Sequence, residues 1–175
     1  MTTVVLCGEN GEKICDEICK LLSVYGVLRI SNNVIIQNCR APKFCIIQCN
    51  NPSKLQLTEA IIVIVGRIMN PNDLILKGKN IVAIVYSSDK TALRLLKNTN
   101  ISVITCGMAE EDTISLSSNK DDSAIVSINR KMKNFKGNII EPQEHKINIK
   151  TPLTDYSLLA ATALIFSSGE TQPEN

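Results

Sequence analysis

Apolar positions along the chain fall in short β-branched runs separated by polar turns, and three stretches carry the three-to-four spacing of a helix. Thr3–Cys7 is predicted as a strand and Gly8-Glu9-Asn10-Gly11 as a turn. From Glu12, Ile14, Ile18, Leu21, Leu22 and Tyr25 share one helical face that ends at Gly26. Asn33–Gln37 and Phe44–Gln48 are the next strand candidates. Ala60–Val65 and Ile81–Val85 are apolar throughout, as strands covered on both faces of a parallel sheet are. Lys90–Lys97 reads as a short helix with Ala92, Leu95 and Leu96 inward, and Ser102–Cys106 as another buried strand.

After Gly107 the rhythm changes. Thr113–Leu116, Ala124–Ile128, Gly137–Glu141 and Lys146–Ile149 are short, alternating, and divided by polar turns such as Asn119-Lys120-Asp121-Asp122. They predict a small antiparallel region over residues 110–150. Thr154 or Asp155 is placed to cap a last helix, Tyr156–Phe166, with residues 167–175 as a flexible tail. The expectation is an α/β fold with one domain over residues 1–166. Its sheet is mostly parallel and doubly wound, with a small antiparallel subdomain near the C-terminus.

Composition narrows the partners. A chain of 175 residues, 44% hydrophobic and 21% charged, has the profile of a folded protein with one core. Net charge is +2 and aromatics make up 3%, with no Trp, so the stacking platforms of single-strand nucleic-acid binders are missing. The segment after Met1 has no basic region followed by a long apolar one, and the longest apolar runs are strand length. Nucleic acid and membrane are set aside, and a cytoplasmic location without a signal peptide is expected. The seven cysteines, an odd number, argue against a disulfide framework. Cys15/Cys19 and Cys45/Cys49 lack the two-residue spacing of zinc knuckles. They are expected to be reduced and mostly buried, with metal or redox use as the lesser reading.

The candidate chemistry begins at Gly8. A strand, a Gly-x-x-Gly turn and a helix aim backbone N–H groups and the helix dipole at one point, a natural anion site. Phosphate-binding loops of hydrolases follow the last Gly with a Lys, then a Ser or Thr that holds magnesium. Here Glu12 follows Gly11, and Lys13 comes one residue late, about 100° further round the helix. Ser87-Ser88-Asp89 ends a buried strand, where open α/β sheets place ligands, although Ser88 or Asp89 also suits a helix cap. His145 and the acidic groups Glu110-Glu111-Asp112 and Asp121-Asp122 read as solvated surface.

The order of these features resembles the central, ATP-binding domain of the Mur ligase family. The family loop Gly-Thr-Asn-Gly-Lys-Thr is matched by Gly8-Glu9-Asn10-Gly11-Glu12-Lys13. The family strand ending in Glu-x-Ser-Ser, with Gly-Leu after it, resembles Phe44–Asn51 with Leu55 beyond. The strand ending in Asn-x-Asp-Asp resembles Ile81–Asp89. Val103-Ile104-Thr105-Cys106-Gly107 is similar to the family's Val-Ile-Thr-Phe-Gly. Tyr156–Ala163 is similar to its His-Asn-x-x-Asn-Ala-x-Ala-Ala helix.

The departures matter as much as the matches. By the resemblance the loop Lys falls on Glu12, the loop Thr on Lys13, and the magnesium-binding Glu on Gln48. Gly66-Arg67-Ile68-Met69 stands where an Asp-His pair is expected, and the helical stretch that follows is compressed to Asn70–Asn80. The family's C-terminal, amino-acid-presenting domain has no counterpart in these residues. The implied function is a non-catalytic relative, binding or regulatory, without ligase activity. Its partner is expected to be a second copy or a protein of cell-wall or polyglutamate synthesis.

The alternative is a weak nucleotide- or anion-binding module holding ATP, ADP or phosphate without catalysis. Its candidate residues are Gly8, Asn10, Gly11, Lys13, Ser88 and Asp89, with Glu12 and Gln48 as the degenerate positions. No catalytic residue and no metal ligand is assigned. A third reading is an enzyme built on Cys7 or Cys106 at strand ends.

Overall fold

The computed structural model describes residues 1–50, 52, 55–66, 68, 74–97, 99–120, 122–149 and 152–171. In chain order these form β1 (Thr2–Cys7), α1 (Glu12–Leu21), a 3₁₀ turn (Ser23–Tyr25), β2 (Val27–Ile30), β3 (Ile35–Gln37), β4 (Phe44–Cys49), β5 (Leu55–Ile64) and β6 (Leu74–Tyr86). There follow α2 (Lys90–Leu96), β7 (Ser102–Gly107), β8 (Ile114–Asn119), β9 (Ser123–Ile128), β10 (Met132–Lys133), β11 (Ile139–Ile140), β12 (Gln143–Asn148) and α3 (Asp155–Ser168).

Among the described residues ten strands make one sheet, in the order β12-β9-β8-β7-β6-β5-β1-β4-β2-β3, and β10 pairs with β11 apart from it. The pairs from β2 through β4, β1, β5, β6 and β7 to β8 are all parallel. The predicted mostly parallel α/β fold is the observed one. The antiparallel region is also present. Its strands β8, β9 and β12 continue the main sheet, because β8 joins β7 through Cys106–Ile114 and Gly107–Ser115.

The central strands are apolar on both sides because both sides are covered. One face packs Val4, Leu6, Ile61, Val63 and Ile84 against Cys15 and Ile18 of α1 and the length of α3. The other packs Val5, Ile62, Ile64, Ala83 and Val85 against Ala92 and Leu96 of α2. Helix α3 is apolar nearly all round, with Leu158, Leu159, Ala160, Ala163 and Leu164 buried, the pattern of a central rather than a surface helix.

Several boundaries differ from the pattern reading. Strand β2 was not foreseen, since Gly26 reads as a helix end and Arg29 interrupts the apolar run. The strand expected at Asn33–Gln37 is β3, exposed at every residue. Strand β5 starts at Leu55, with a bulge between Leu57 and Glu59. The compressed segment Asn70–Asn80 lies partly outside the described residues, and from Leu74 it is strand β6. Arg67, Met69 and Asp121 also lie outside them. Helix α3 runs two residues past Phe166 to Ser168, so the predicted tail starts inside a helix, and residues 172–175 are outside the described ones. No helix among the described residues is long and apolar enough to cross a membrane.

Tyr156 ties α3 to the sheet. Its buried hydroxyl shares one proton between the carbonyls of Ile64 at 2.7 Å and Ile84 at 3.1 Å, at the carboxyl ends of β5 and β6. Tyr156→Phe keeps the packing and removes both contacts. It is expected to lower unfolding free energy by about 1–2 kcal/mol with an unchanged m-value, read by urea titration.

Candidate functional site

The sequence-predicted residues all sit at the carboxyl edge of the parallel strands, but they divide into separate places. Gly8 to Gly11 join β1 to α1. Gln48 lies near the end of β4, next to β1, where Leu6 is its register partner. Ser88 and Asp89 follow β6, two strands away on the far side of β5.

The glycine turn is packed tightly against the segment that follows β5. Gly8 has φ +129°, and a Cβ on it would lie 1.8 Å from the carbonyl oxygen of Val65. Gly11 is confined less severely, since its Cβ would meet side-chain atoms of Val65 at 2.5 Å and of Leu6 at 2.9 Å. Gly8 N–H donates to the Cys49 carbonyl at 3.2 Å, and Val65 N–H to the Cys7 carbonyl at 2.8 Å. Asn10 has φ +60°, in the left-handed region that Asn tolerates better than most side chains. Gly11 starts α1 with no side-chain cap on the helix.

Lys13 does not turn toward the loop. Its side chain, 74% exposed, runs along α1 to Glu17, with Nζ 3.9 Å from the carboxylate. Glu17 is buried, and its Oε2 accepts from Thr154 N–H at 3.0 Å and Thr154 Oγ1 at 2.7 Å, which fastens α1 to the start of α3. Burial alone would raise the Glu17 pKa. The hydrogen bonds from Thr154 and Ser157, with Lys13 adding a weaker pull, outweigh it and hold the carboxyl below its usual range.

Glu12 and Gln48 are brought together in one open cleft of about 350 Å³, lined also by Asp16, Arg29, Ser31–Val34 and Asn50. Arg29 was not singled out from the sequence, although a lone Arg in an apolar run was the available signal. Its guanidinium donates through Nη2 to Gln48 Oε1 at 3.0 Å and through Nη1 to Asp16 Oδ1. The Gln48 amide nitrogen reaches Asn50 Oδ1 at 3.5 Å. The neutral amide of Gln48 is thus occupied by a permanent cation from the neighbouring strand.

Magnesium takes hard oxygen ligands, carboxylates above all. Here the Gln48 side-chain oxygen already accepts from Arg29, whose positive charge repels a dication. Glu12 adds a negative charge at the start of α1, where a phosphate would need the opposite. The donor set in this cleft does not fit a magnesium–nucleotide pair.

Asp89 is spent as a cap: its Oδ1 accepts from Thr91 N–H at 3.1 Å and Ala92 N–H at 2.9 Å at the start of α2. The crevice that it shares with Gly66, Ile68 and Thr91 measures about 10 Å³, room for about one water molecule and too little for a phosphate. Ser88 is exposed on the turn before it.

All seven cysteines are free, with Cys7, Cys15, Cys45 and Cys106 buried. Burial, with Cys49 alongside, pushes the Cys7 thiol up to about 11, and burial near Asp112 pushes Cys106 up as well. Both stay protonated at neutral pH, so neither supplies the thiolate that a cysteine nucleophile requires. His145 is half-buried, its ring 4.5 Å from that of Phe166, and burial holds its pKa below the ordinary value. It is a packed ring and not the solvated side chain that its charged neighbours suggested. Asp112 is likewise buried, its carboxylate accepting from Ser87 Oγ and Ala109 N–H.

No protein-family model matches this sequence, and no curated protein matches it. Solved structures do match. A murein peptide ligase from Psychrobacter arcticus 273-4 aligns with TM-score 0.58 and 8% identity, over 95% of this chain and 44% of the other. A UDP-N-acetylmuramoyl-L-alanyl-D-glutamate–2,6-diaminopimelate ligase aligns with TM-score 0.53 and 10% identity, over 97% of this chain and 43% of the other. The chain spans less than half the length of these ligases, and what it shares with them is the fold.

Proposed function

We infer that this protein is a non-catalytic, Mur-ligase-like protein with a binding or regulatory role and no ATP-dependent ligase chemistry. The observation that carries this reading is the Arg29 guanidinium seated on Gln48 and Asp16 beside the start of α1. A protein-borne cation fills the place where the resemblance expects a metal and its carboxylate. The close packing of Gly8 on Val65 gives the glycines a structural use that outlasts any nucleotide. The partner that fits this reading is a second copy or a protein of cell-wall or polyglutamate synthesis. The location that fits it is the cytoplasm.

Thermal unfolding with ATP, ADP and UDP-sugars, each with and without magnesium, tests the reading. A ligand at 100 times its Kd adds about 2.7 kcal/mol, roughly 5–10 °C for a chain of this size. The expected result is no magnesium-dependent shift with any nucleotide and no turnover of ATP. Gln48→Glu alone is expected to stay insensitive to magnesium, because the new carboxylate pairs with Arg29. Magnesium-dependent turnover by the purified protein overturns the reading. The uncapped start of α1 favours a second reading, a weak anion site on its backbone N–H groups. Stabilisation by ADP or phosphate independent of magnesium, lost in Gly11→Asp, is the result that selects it.

A further inference from the structure

The two edges of the ten-stranded sheet are built differently. Strand β12 ends one side and carries Glu144 and Lys146 exposed, with Pro142 just before it, the usual protection against strand addition. Strand β3 ends the other side and has no such guard. From Ser31 to Cys39 there is no charged residue and no proline. Val34, Ile35 and Ile36 are exposed to 42%, 74% and 51%, on a strand whose only sheet neighbour among the described residues is β2.

The ladder fixes which backbone groups are free. Ile36 faces Arg29 in the register, flanked two residues away on either side by Ser31 N–H donating to Val34 and Asn38 N–H donating to Val27. Antiparallel hydrogen-bonded pairs alternate, so Val34, Ile36 and Asn38 point their backbone groups inward to β2. Ile35 and Gln37 therefore turn theirs outward, to the open edge.

The ends of this edge carry opposite charge. Ser31–Val34, at its start, share a cleft with Glu12, Asp16 and Arg29, and since Arg29 pairs with Asp16 the charge left over there is that of Glu12. Arg40 lies just past its end, exposed, and Lys20 ends α1 on the same side, where Ser23 links Lys20 to Asn38. A strand laid antiparallel on β3 with the same sequence brings basic end to acidic end twice.

We propose that β3 is a self-association edge, pairing antiparallel about a two-fold axis with β3 of a second copy of this chain. With Ile36 opposite Ile36, the outward groups of Ile35 meet those of Gln37 on each side, and Arg40 faces Asn32 beside Glu12. The isologous arrangement closes at two copies and makes one continuous sheet. It covers the exposed Val34, Ile35 and Ile36, and it rests on the edge alone, independently of any nucleotide reading.

Sedimentation velocity over about 1 µM to about 1 mM protein tests this. The expected result is a species of twice 19.2 kDa. Ile35→Lys places a charge on the edge, and Gln37→Pro removes an outward N–H while leaving the β2 ladder intact. Each is expected to raise the dimer Kd about 100-fold, with melting of the dilute protein unchanged because both side chains are exposed. Glu12→Arg and Arg40→Glu are each expected to weaken the dimer about tenfold, and the double swap to recover it. A monomer throughout the range overturns the proposal, as does a dimer that both edge variants leave intact. Failure of the double swap to recover affinity overturns the two-fold register.

Discussion

Gly8→Ala is expected to cost roughly 3–5 kcal/mol, enough to deplete the folded protein at 37 °C, with no ligand present. Two effects add. The φ of +129° is a region that L side chains rarely adopt. The new Cβ would also stand 1.8 Å from the Val65 carbonyl oxygen and 2.8 Å from its carbon, both backbone atoms without a rotamer to change. Relief requires β1 and the end of β5 to part, which breaks the Val65 N–H bond to Cys7 and strains that of Gly8 to Cys49. Gly137→Ala separates the two effects. Its φ is +87°, but the nearest atom to a new Cβ is Lys133 Cε at 3.8 Å, so about 1 kcal/mol is expected there. Urea unfolding of both variants measures the difference. Equal, small losses at the two glycines would show that the turn packs loosely and would remove the structural account of Gly8.

Glu17→Ala is expected to cost about 2–3 kcal/mol at neutral pH. The carboxylate accepts from both the N–H and the hydroxyl of Thr154 just ahead of α3, and removal leaves a half-buried N–H without its acceptor. Glu17→Gln keeps an oxygen but loses the charge, and about half that loss is expected. The pH dependence follows from the lowered pKa. The folded protein holds Glu17 ionised to lower pH than the unfolded chain does, so the unfolded state binds the extra proton. Its contribution is therefore complete well above the ordinary value of 4.5 and is lost as pH falls through the lower folded value. The gap between native protein and Glu17→Gln is expected to narrow as pH falls below about 4.5. A gap that stays constant from pH 7 to pH 3 would mean that the charge of Glu17 carries none of the stability.

The sequence by itself determined the elements that depend on local pattern. The apolar β-branched runs at Ala60–Val65 and Ile81–Val85 had to be covered on both faces, and they are central strands. The amphipathic face from Ile14 to Leu22 had to be a helix against that sheet, and Thr154 or Asp155 had to cap another, of which Thr154 does. Glu12 and Lys13 were visible as residue types out of keeping with a phosphate loop, and Gln48 as a neutral side chain out of keeping with a magnesium ligand.

Long-range geometry decided the rest. Arg29 lies nineteen positions from Gln48, and only the parallel pairing of β2 with β4 sets guanidinium against amide. Glu17 and Thr154 are separated by 137 positions, so no window along the chain links a mid-helix carboxylate to a distant cap. Strand β3 was legible as a strand but not as an edge, because Val34–Ile36 are as apolar as Val4–Leu6. Edge or centre is a property of strand order, which the alternation of side chains does not encode. The glycine turn kept its place in the reading but changed its meaning. Its spacing pointed to a phosphate, whereas the approach of Val65 supplies the physical reason for Gly8, a backbone contact too close for any side chain.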